Sequence, residues 1–529
     1  MAASSKPTHE SSHSYDTLPN DQDFDSMISD AMSTADTRTD FYDRSLTSRR
    51  YALVGVACSG IFSCLCIVAG IVTLANHGVM GVAAANLHII DNTQLSIQEI
   101  PTLTLNLIVT LCTESIGLIH GISLRSALAS ESRLHFNTNL RLLTTARGWY
   151  NPNGVLLNGI SAILLIISYS SASLVGPEVK GIVTYADSGI AIVGMPLLFL
   201  GVALLLQVMI ALSGMRAVKI LTWSSSPFDL TAALVHHTQL TPATLRCMRG
   251  VSDLDTHGGP AKPSGMQPSA WHAHPSIRKV VVSLWLIVAA CAGWAALVMY
   301  IWDKYMRRDI PPLTSQTWTL SPYNMSNCIL YIMPGVNLEW WILLFVNMAV
   351  IQGPLTIGLH CSELIANVIR DERQWRCATG RKGLRTSMNP VKTIFAHPIC
   401  LVLFIAKPFL HWMFGLALNI TEDSIRGKVS IYGIYMYTAQ IWNLCITLFI
   451  FACFFTYVAL RRPRGPQPAA YGHLQTLANL VDEWSPVMWW GHKKDGIPYC
   501  HAGTSNHPLP DVKMDCVYAG SDAVSLVLS

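Results

Sequence analysis

Two charged residues stand out because each lies near the middle of a long apolar segment. Glu114 and Lys407 are the sole acid, lysine or arginine in these segments. A charge at the centre of a membrane-spanning helix costs several kcal/mol, so such residues usually face a protein interior or a water-filled cavity. We predict that the two side chains neutralise each other and that the second and seventh apolar segments are neighbours. The alternative places Lys407 beside an anionic ligand and Glu114 in a separate proton or cation path.

Other polar residues recur at helical spacing around this pair. One face of the second segment contains Asn106, Thr110, Glu114, Gly117 and Gly121. One face of the sixth segment contains Gln352, Thr356, His360 and Glu363. We predict an intramembrane polar site made of Glu114, Lys407, His411, His360, Gln352 and Thr356. For the uncharged residues the alternative is helix packing, which Gly117-x-x-x-Gly121 also fits.

Enzyme and metal-site motifs are missing from the sequence. It contains no glycine-rich phosphate loop, no His-Glu-x-x-His pattern and no Gly-x-Ser-x-Gly elbow. Neither the spacing of His492, Cys500 and His501 nor the pair His236-His237 matches a usual zinc site. We predict that these histidines lie at the surface. We therefore expect no cofactor and no metal. A membrane enzyme that uses buried histidines with Glu114 remains an alternative.

Composition places these residues in a membrane protein. Hydrophobic residues make up 51% of the 529 residues, charged residues 13%, and the mean hydropathy is +0.36. A soluble globular chain of this length would contain more charged residues and would have a lower mean hydropathy. The net charge of +4 is small and the basic residues are spread over several loops, so a nucleic-acid partner is not expected.

Eight apolar segments are long enough to cross the hydrocarbon core. They cover 51–75, 102–124, 153–175, 189–213, 280–302, 340–361, 394–418 and 434–460. The predicted fold class is therefore an all-α polytopic helix bundle that occupies residues 49–462, in contact with the lipid bilayer.

The distribution of lysine and arginine predicts the orientation. The loops after the second, fourth and sixth segments are rich in arginine, whereas the opposite loops contain few basic residues. By the positive-inside rule both termini are cytoplasmic, with residues 1–48 as a disordered tail. The sequon Asn324-Met-Ser then lies in the longest outside loop, and we predict that Asn324 is glycosylated.

The C-terminal region, 463–529, contains one patterned element. Leu474, Leu477, Val481 and Trp484 recur on one helical face. The pattern predicts an amphipathic helix near 471–484 that lies at the bilayer interface, or one that packs against the membrane domain.

A weak internal repeat suggests two four-helix halves in parallel orientation. Ile116-Gly117-Leu118 and Ile357-Gly358-Leu359 each precede a basic loop, and Asn151-Pro152 and Asn389-Pro390 precede the next segments. Chance similarity between apolar helices is the alternative.

Three regions of the chain carry a resemblance to known sequences. The phrases His473 to Pro486 with Trp490-Gly-His-Lys493, the segment from Trp223 to Asp229 and the basic loop after the second segment resemble a group of uncharacterised fungal multi-pass membrane proteins. The resemblance covers most of the membrane region and implies a multi-pass fold, but it implies no activity and no site residue.

The leading hypothesis is transport of a small solute or ion, coupled to protons, with Glu114 as the titrating group. The alternative is a non-catalytic scaffold or receptor-like protein that binds cytoplasmic partners through its basic loops.

Overall fold

The computed structural model contains the eight long apolar helices that the sequence predicts. It describes residues 42–78, 82–85, 99–175, 178–179, 190–253, 259–305, 318–320, 328–332, 338–386, 397–425 and 429–520. Within this part of the chain eight helices have the length and composition to cross a membrane, which confirms an all-α polytopic bundle. They are α1 (Leu46–His77), α2 (Glu99–Ser130), α3 (Val155–Leu174), α4 (Gly194–Arg216), α7 (Pro275–Tyr305), α8 (Leu338–Cys361), α10 (Pro398–Ala417) and α11 (Thr438–Leu460). The shorter helices are α5 (Pro227–His236), α6 (Ala270–Ala273), α9 (Glu363–Arg376) and α12 (Leu474–Leu480).

The spanning helices form two groups of four, each with its own apolar core. In the first group α1 and α3 both pack on α4, and in the second α7 and α10 both pack on α11. The groups meet where α2 packs on α10 and α3 packs on α8. The prediction that the second and seventh spans are neighbours is confirmed by the contact of α2 with α10. If the second group repeats the first, the contact of α3 with α8 is the equivalent of this one. The duplication itself stays a prediction.

Small residues bring α1 and α4 into close contact. A Cβ added to Gly201 would lie 2.7 Å from the carbonyl oxygen of Ser63 and 2.8 Å from the amide nitrogen of Ile67. The Ser63 hydroxyl donates to the Gly201 carbonyl at 2.7 Å. This is the small-residue packing that membrane helices favour, because it lets backbones approach.

Strands join the helices at one end of the bundle. Six strands pair in the order β1 (Val82–Ala85), β3 (Ile190–Val193), β2 (Glu178–Val179), β6 (Leu418–Ile425), β7 (Val429–Tyr437) and β4 (Cys328–Ile332). The predicted eighth span, 434–460, is therefore too long at its start. Its first residues belong to β7, and α11 begins at Thr438.

The opposite end, here called the basic side, contains the α2–α3 connection, α5, α6, α9 and the residues after α11. Three strands pair there in the order β5 (Leu384–Arg385), β8 (Val487–Lys494) and β9 (His501–Ser505). An apolar core that includes Phe228, Trp375 and Trp490 lies beneath them. The C-terminal region is thus folded through residue 520.

The predicted helix near 471–484 is shorter than expected and does not present its apolar face to solvent. Helix α12 has seven residues, and Leu474, Leu477 and Leu480 on it are about 1% exposed. It packs against α5. This burial favours the packing alternative over a position at the bilayer interface. His492, expected at the surface, is also buried, and its Nδ1 lies 2.9 Å from the hydroxyl of Tyr518. Residues 1–41 and the sequon Asn324 lie outside the described residues.

Buried polar contacts join the connections on the basic side. Asn137 donates to Asp371 Oδ2 at 2.8 Å and accepts from Arg125 Nη1 at 2.6 Å. The carboxylate of Glu372 accepts the backbone N–H groups of Ala470 and Tyr471 at 2.9 and 2.8 Å. These bonds connect the α2–α3 loop and the C-terminal region to α9, which begins at the candidate site.

Candidate functional site

Lys407 is the centre of the candidate site. Its side chain is 2% exposed, and its Nζ contacts Oε1 of Glu114 and Oε1 of Glu363. The pairing of Glu114 with Lys407 that the sequence predicts is therefore confirmed. The ammonium lies between two carboxylates, one from α2 and one from the first turn of α9.

Glu363 corrects the expectation that Glu114 and Lys407 are the sole full charges of the site. Helix α8 ends at Cys361, and α9 begins at Glu363 after a turn at Ser362, whose hydroxyl donates to the Gly358 carbonyl at 2.8 Å. The Ser362 backbone stays helical (φ −65°, ψ −17°), so Glu363 keeps its place three residues after His360, on the helix face toward Lys407. The spacing of Glu363 after His360 was the sequence signal that could have identified it.

His360 lies against the three charges. Its Nδ1 is 2.9 Å from Glu363 Oε1, 3.5 Å from Lys407 Nζ and 3.9 Å from Glu114 Oε1. Ligand atoms of His360 and the two glutamates lie within 4.8 Å of one another, as in a site for a divalent cation. The Lys407 ammonium lies among these atoms and supplies the positive charge there.

Arg141 enters the cluster from the α2–α3 connection. Its Nη1 occupies the place where a Cβ on Gly117 would lie, and its Nη2 is 3.9 Å from Glu363 Oε1. Among the described residues its guanidinium donates no hydrogen bond, and its Nε is buried without a partner. Sequence reasoning counted Arg141 only as a loop charge and assigned Gly117 to helix association. The glycine instead makes room for the arginine.

Asn158, at the start of α3, fixes the loop that positions Arg141. Its side-chain amide donates to the backbone carbonyls of Arg141, Leu142 and Thr144 at 3.2, 3.1 and 3.1 Å. Asn158 is 1% exposed. The backbone from Arg141 to Thr144 is therefore bound to a spanning helix.

Three of the other predicted site residues lie next to the cluster without contacting Lys407. Gln352 Nε2 is 3.0 Å from His411 Nδ1, and Thr356 donates to the Gln352 carbonyl of its own helix at 3.1 Å. The ring of Tyr169, which was not predicted, stacks on His411 at 3.8 Å, and its hydroxyl donates to Thr110 at 3.1 Å.

A cavity of about 460 Å³ extends from the cluster to the basic side. Most of its lining is apolar, with Leu118, Leu403 and Phe404 among the wall residues. At its inner end the side chains of Glu114 and Glu363 are 30% and 22% exposed, whereas the Lys407 side chain is buried. The other charged residues that line it are Arg125, Arg141 and Arg370.

Comparisons of the chain with protein-family models, curated proteins and solved structures give no match. The function is therefore argued from the geometry of the site.

Proposed function

We propose that this multi-pass membrane protein transports a small solute in a proton-coupled manner through the site around Lys407. The observation that carries the proposal is that a buried lysine, shared by two carboxylates, lies at the end of a cavity of about 460 Å³. Binding cavities for small ligands usually have this size, apolar walls and a few polar groups. Charged groups inside a helix bundle usually mark a substrate or ion path.

The sharing of one ammonium by Glu114 and Glu363 suits the uptake of a proton. If one carboxylate is protonated, Lys407 remains paired with the other, so no buried charge loses its partner. Among the described residues, the other charged or titratable neighbours of the three groups include His360, Arg141, Tyr169, His411, Cys361 and Cys400. A pair with one carboxylate would not offer this exchange.

The scaffold alternative relied on basic loops that are free to bind partners. Several of those arginines instead bond within the protein. Arg376 contacts Glu372 at 2.8 Å and donates to the Gln467 carbonyl at 2.7 Å, and Arg370 contacts Asp371 at 2.8 Å. This favours transport over the scaffold. The enzyme alternative rests on no motif of the sequence.

Vesicles reconstituted with the purified protein and an internal pH dye test the proposal. We expect at least one solute from a panel of organic acids, amines, sugars and inorganic ions to drive proton movement. Lys407→Met should abolish the movement, and Lys262→Met, which removes an exposed lysine on the basic side, should retain it. If no solute in the panel moves protons or accumulates, the transport proposal is wrong.

The basic side is proposed to be cytoplasmic, because its loops contain most of the arginines. Tags at both termini should be inaccessible to antibody in sealed cells and accessible after permeabilisation. Labelling of either terminus in sealed cells would contradict this orientation.

A further inference from the structure

Arg141 is the charged residue of the cavity whose hydrogen-bonding capacity is unused. A guanidinium has five N–H donors in a planar fork, and in proteins these normally bond to carboxylates, phosphates or carbonyls. Among the described residues, Arg125 bonds to Asn137 and Ser224, and Arg370 to Asp371 and Asn367. The guanidinium of Arg141 makes no hydrogen bond there, and Glu363 at 3.9 Å is too far for one.

We infer that the cavity binds an organic monoanion with an apolar tail, whose acidic group is bound by the guanidinium of Arg141. The inference deepens the proposed transport function and rests on it. A planar acid such as a carboxylate matches the two parallel N–H groups of an arginine fork. Unused donors in a largely apolar cavity are what such a ligand would satisfy.

The cavity walls favour an organic anion over an inorganic one. The cavity lining includes Leu118, Leu140, Leu403 and Phe404, which an apolar tail can contact but which give a hydrated ion no polar partner. A volume of about 460 Å³ also exceeds what a small inorganic anion needs. The apolar walls therefore favour a ligand with an apolar tail, and Arg141 favours a ligand with a negative charge.

The charge balance of the cavity points the same way. Its lining contains four basic side chains, Lys407, Arg125, Arg141 and Arg370, and two acidic ones, Glu114 and Glu363. The buried carboxylate of Asp371 offsets Arg370. One positive charge remains in excess, which attracts an anion and opposes the entry of a cation.

The excess positive charge belongs to the whole lining, whereas the four charges at the inner end are balanced among themselves. This local balance explains why the anion would enter with a proton. Around Lys407 the charges of Glu114, Glu363, Lys407 and Arg141 cancel when His360 is neutral. An anion at Arg141 adds one negative charge next to Glu363, and a proton added to a carboxylate of the cluster restores neutrality. The expected cargo is thus one organic monoanion with one proton.

Equilibrium binding of radiolabelled octanoate to the purified full-length protein tests the inference. Octylamine and octanol, which have the same chain length, serve as competitors of positive and zero charge. We expect Arg141→Gln to weaken octanoate binding about tenfold or more, because a charge-assisted bidentate contact is lost. Arg141→Lys, which keeps the charge but not the fork, should give an intermediate loss. Partitioning into detergent is common to all variants and is subtracted.

Arg147→Gln is the matched control, because Arg147 is an exposed arginine of the same connection. It should bind octanoate as the unmodified protein does. Equal binding by a folded Arg141→Gln or Arg141→Lys protein, or stronger displacement by octylamine than by unlabelled octanoate, would overturn the inference. Octanoate binding through Arg141 without any flux in vesicles would support the site and contradict transport. Flux of another solute without octanoate binding would support transport and contradict the anion site at Arg141.

Discussion

The guanidinium of Arg141 lies against the bare backbone of Gly117, at the point where any other residue would place its Cβ. A helix glycine one turn from Glu114 therefore gives a loop arginine access to the charged cluster. One turn further along, Gly121 has the Arg141 Cδ at 3.9 Å, an ordinary contact distance. The two glycines share a helix face, but only Gly117 is required for the position of Arg141.

The first prediction follows from this difference. Gly117→Ala should destabilise the protein by about 1–3 kcal/mol, because the added methyl group forces the guanidinium to move. Gly121→Ala is the matched control and should have little effect. In the double variant Gly117→Ala/Arg141→Ala the clash is absent, so its loss should be smaller than the sum of the single losses. Thermal unfolding of the unmodified protein, Gly117→Ala, Arg141→Ala and the double variant measures this. Additive losses would show that Arg141 does not lie on Gly117.

A second prediction concerns the sharing of Lys407 by two carboxylates. Lys407→Met should destabilise the protein by about 3–5 kcal/mol, because both glutamates lose their partner. Glu114→Gln or Glu363→Gln alone should have a much smaller effect, since the ammonium keeps one carboxylate. The double change Glu114→Gln/Glu363→Gln should exceed the sum of the two, which a cycle of unfolding measurements would detect. A large loss in either single glutamate variant would argue against the sharing.

Parts of this site follow from the sequence, and other parts depend on tertiary structure. The eight helices follow from apolar length, and the pairing of Glu114 with Lys407 follows from the free energy of an unpaired buried charge. The entry of Arg141 depends on a loop that Asn158 fixes, which has no periodic signal. The helix face of Glu363 follows from its spacing after His360, but its contact with Lys407 depends on the packing of α9 against α10.

The C-terminal region illustrates a second limit. An amphipathic pattern shows which face of a helix is apolar, but not whether lipid or protein covers it. In α12 the leucines pack against α5 and the neighbouring core, so protein covers them. Strand β5 is equally hard to predict from the sequence, because its partner β8 lies far away in the chain.

The contact between α1 and α4 gives a third prediction. Gly201→Ala should destabilise the protein by about 1–3 kcal/mol, because its Cβ would meet the backbone of Ser63 and Ile67. Gly159→Ala, at an exposed helix position with nothing within 4 Å, should be neutral or slightly stabilising. Thermal unfolding in one detergent compares the two. Equal effects would contradict the close approach of these helices.

Asp229, in the first turn of α5, supplies a prediction about pH. Burial, reinforced by the carboxylate of Asp43, raises the pKa of Asp229 to about 7 from the ordinary value of 3.8, and its Oδ2 has no hydrogen-bond partner in the described chain. Between these two pH values the folded protein retains a proton that the unfolded chain loses. Its contribution to stability therefore falls as pH rises through this window.

Asp229→Asn should remove this loss. At pH 8 the variant is expected to be more stable than the unmodified protein by about 1–3 kcal/mol, with little difference at pH 4. Unfolding temperatures across this range measure the effect, and Asp515→Asn, at an exposed position, is the control. A variant that is less stable than the unmodified protein at pH 8 would show that the buried carboxylate is charged and bound.

The last prediction concerns His473, where the sign is opposite. Burial, with the charges of His135 and His274, lowers the pKa of His473 to about 4 from 6.5. In this window the unfolded chain binds a proton that the folded protein excludes, so stability is lost as pH falls from 6.5 toward 4. The side chain also caps α12, because its Nδ1 accepts the N–H of Thr476 at 3.2 Å.

His473→Asn separates the two roles, because asparagine can cap a helix but does not titrate. The decline in unfolding temperature between pH 6.5 and 4 should become shallower in this variant, while at pH 7.5 its stability falls by only about 1 kcal/mol, since the cap is retained and only packing against Phe136 is reduced. His507→Asn, at an exposed position, should keep the original slope. An unchanged slope in His473→Asn would mean that other groups cause the acid sensitivity of the basic side.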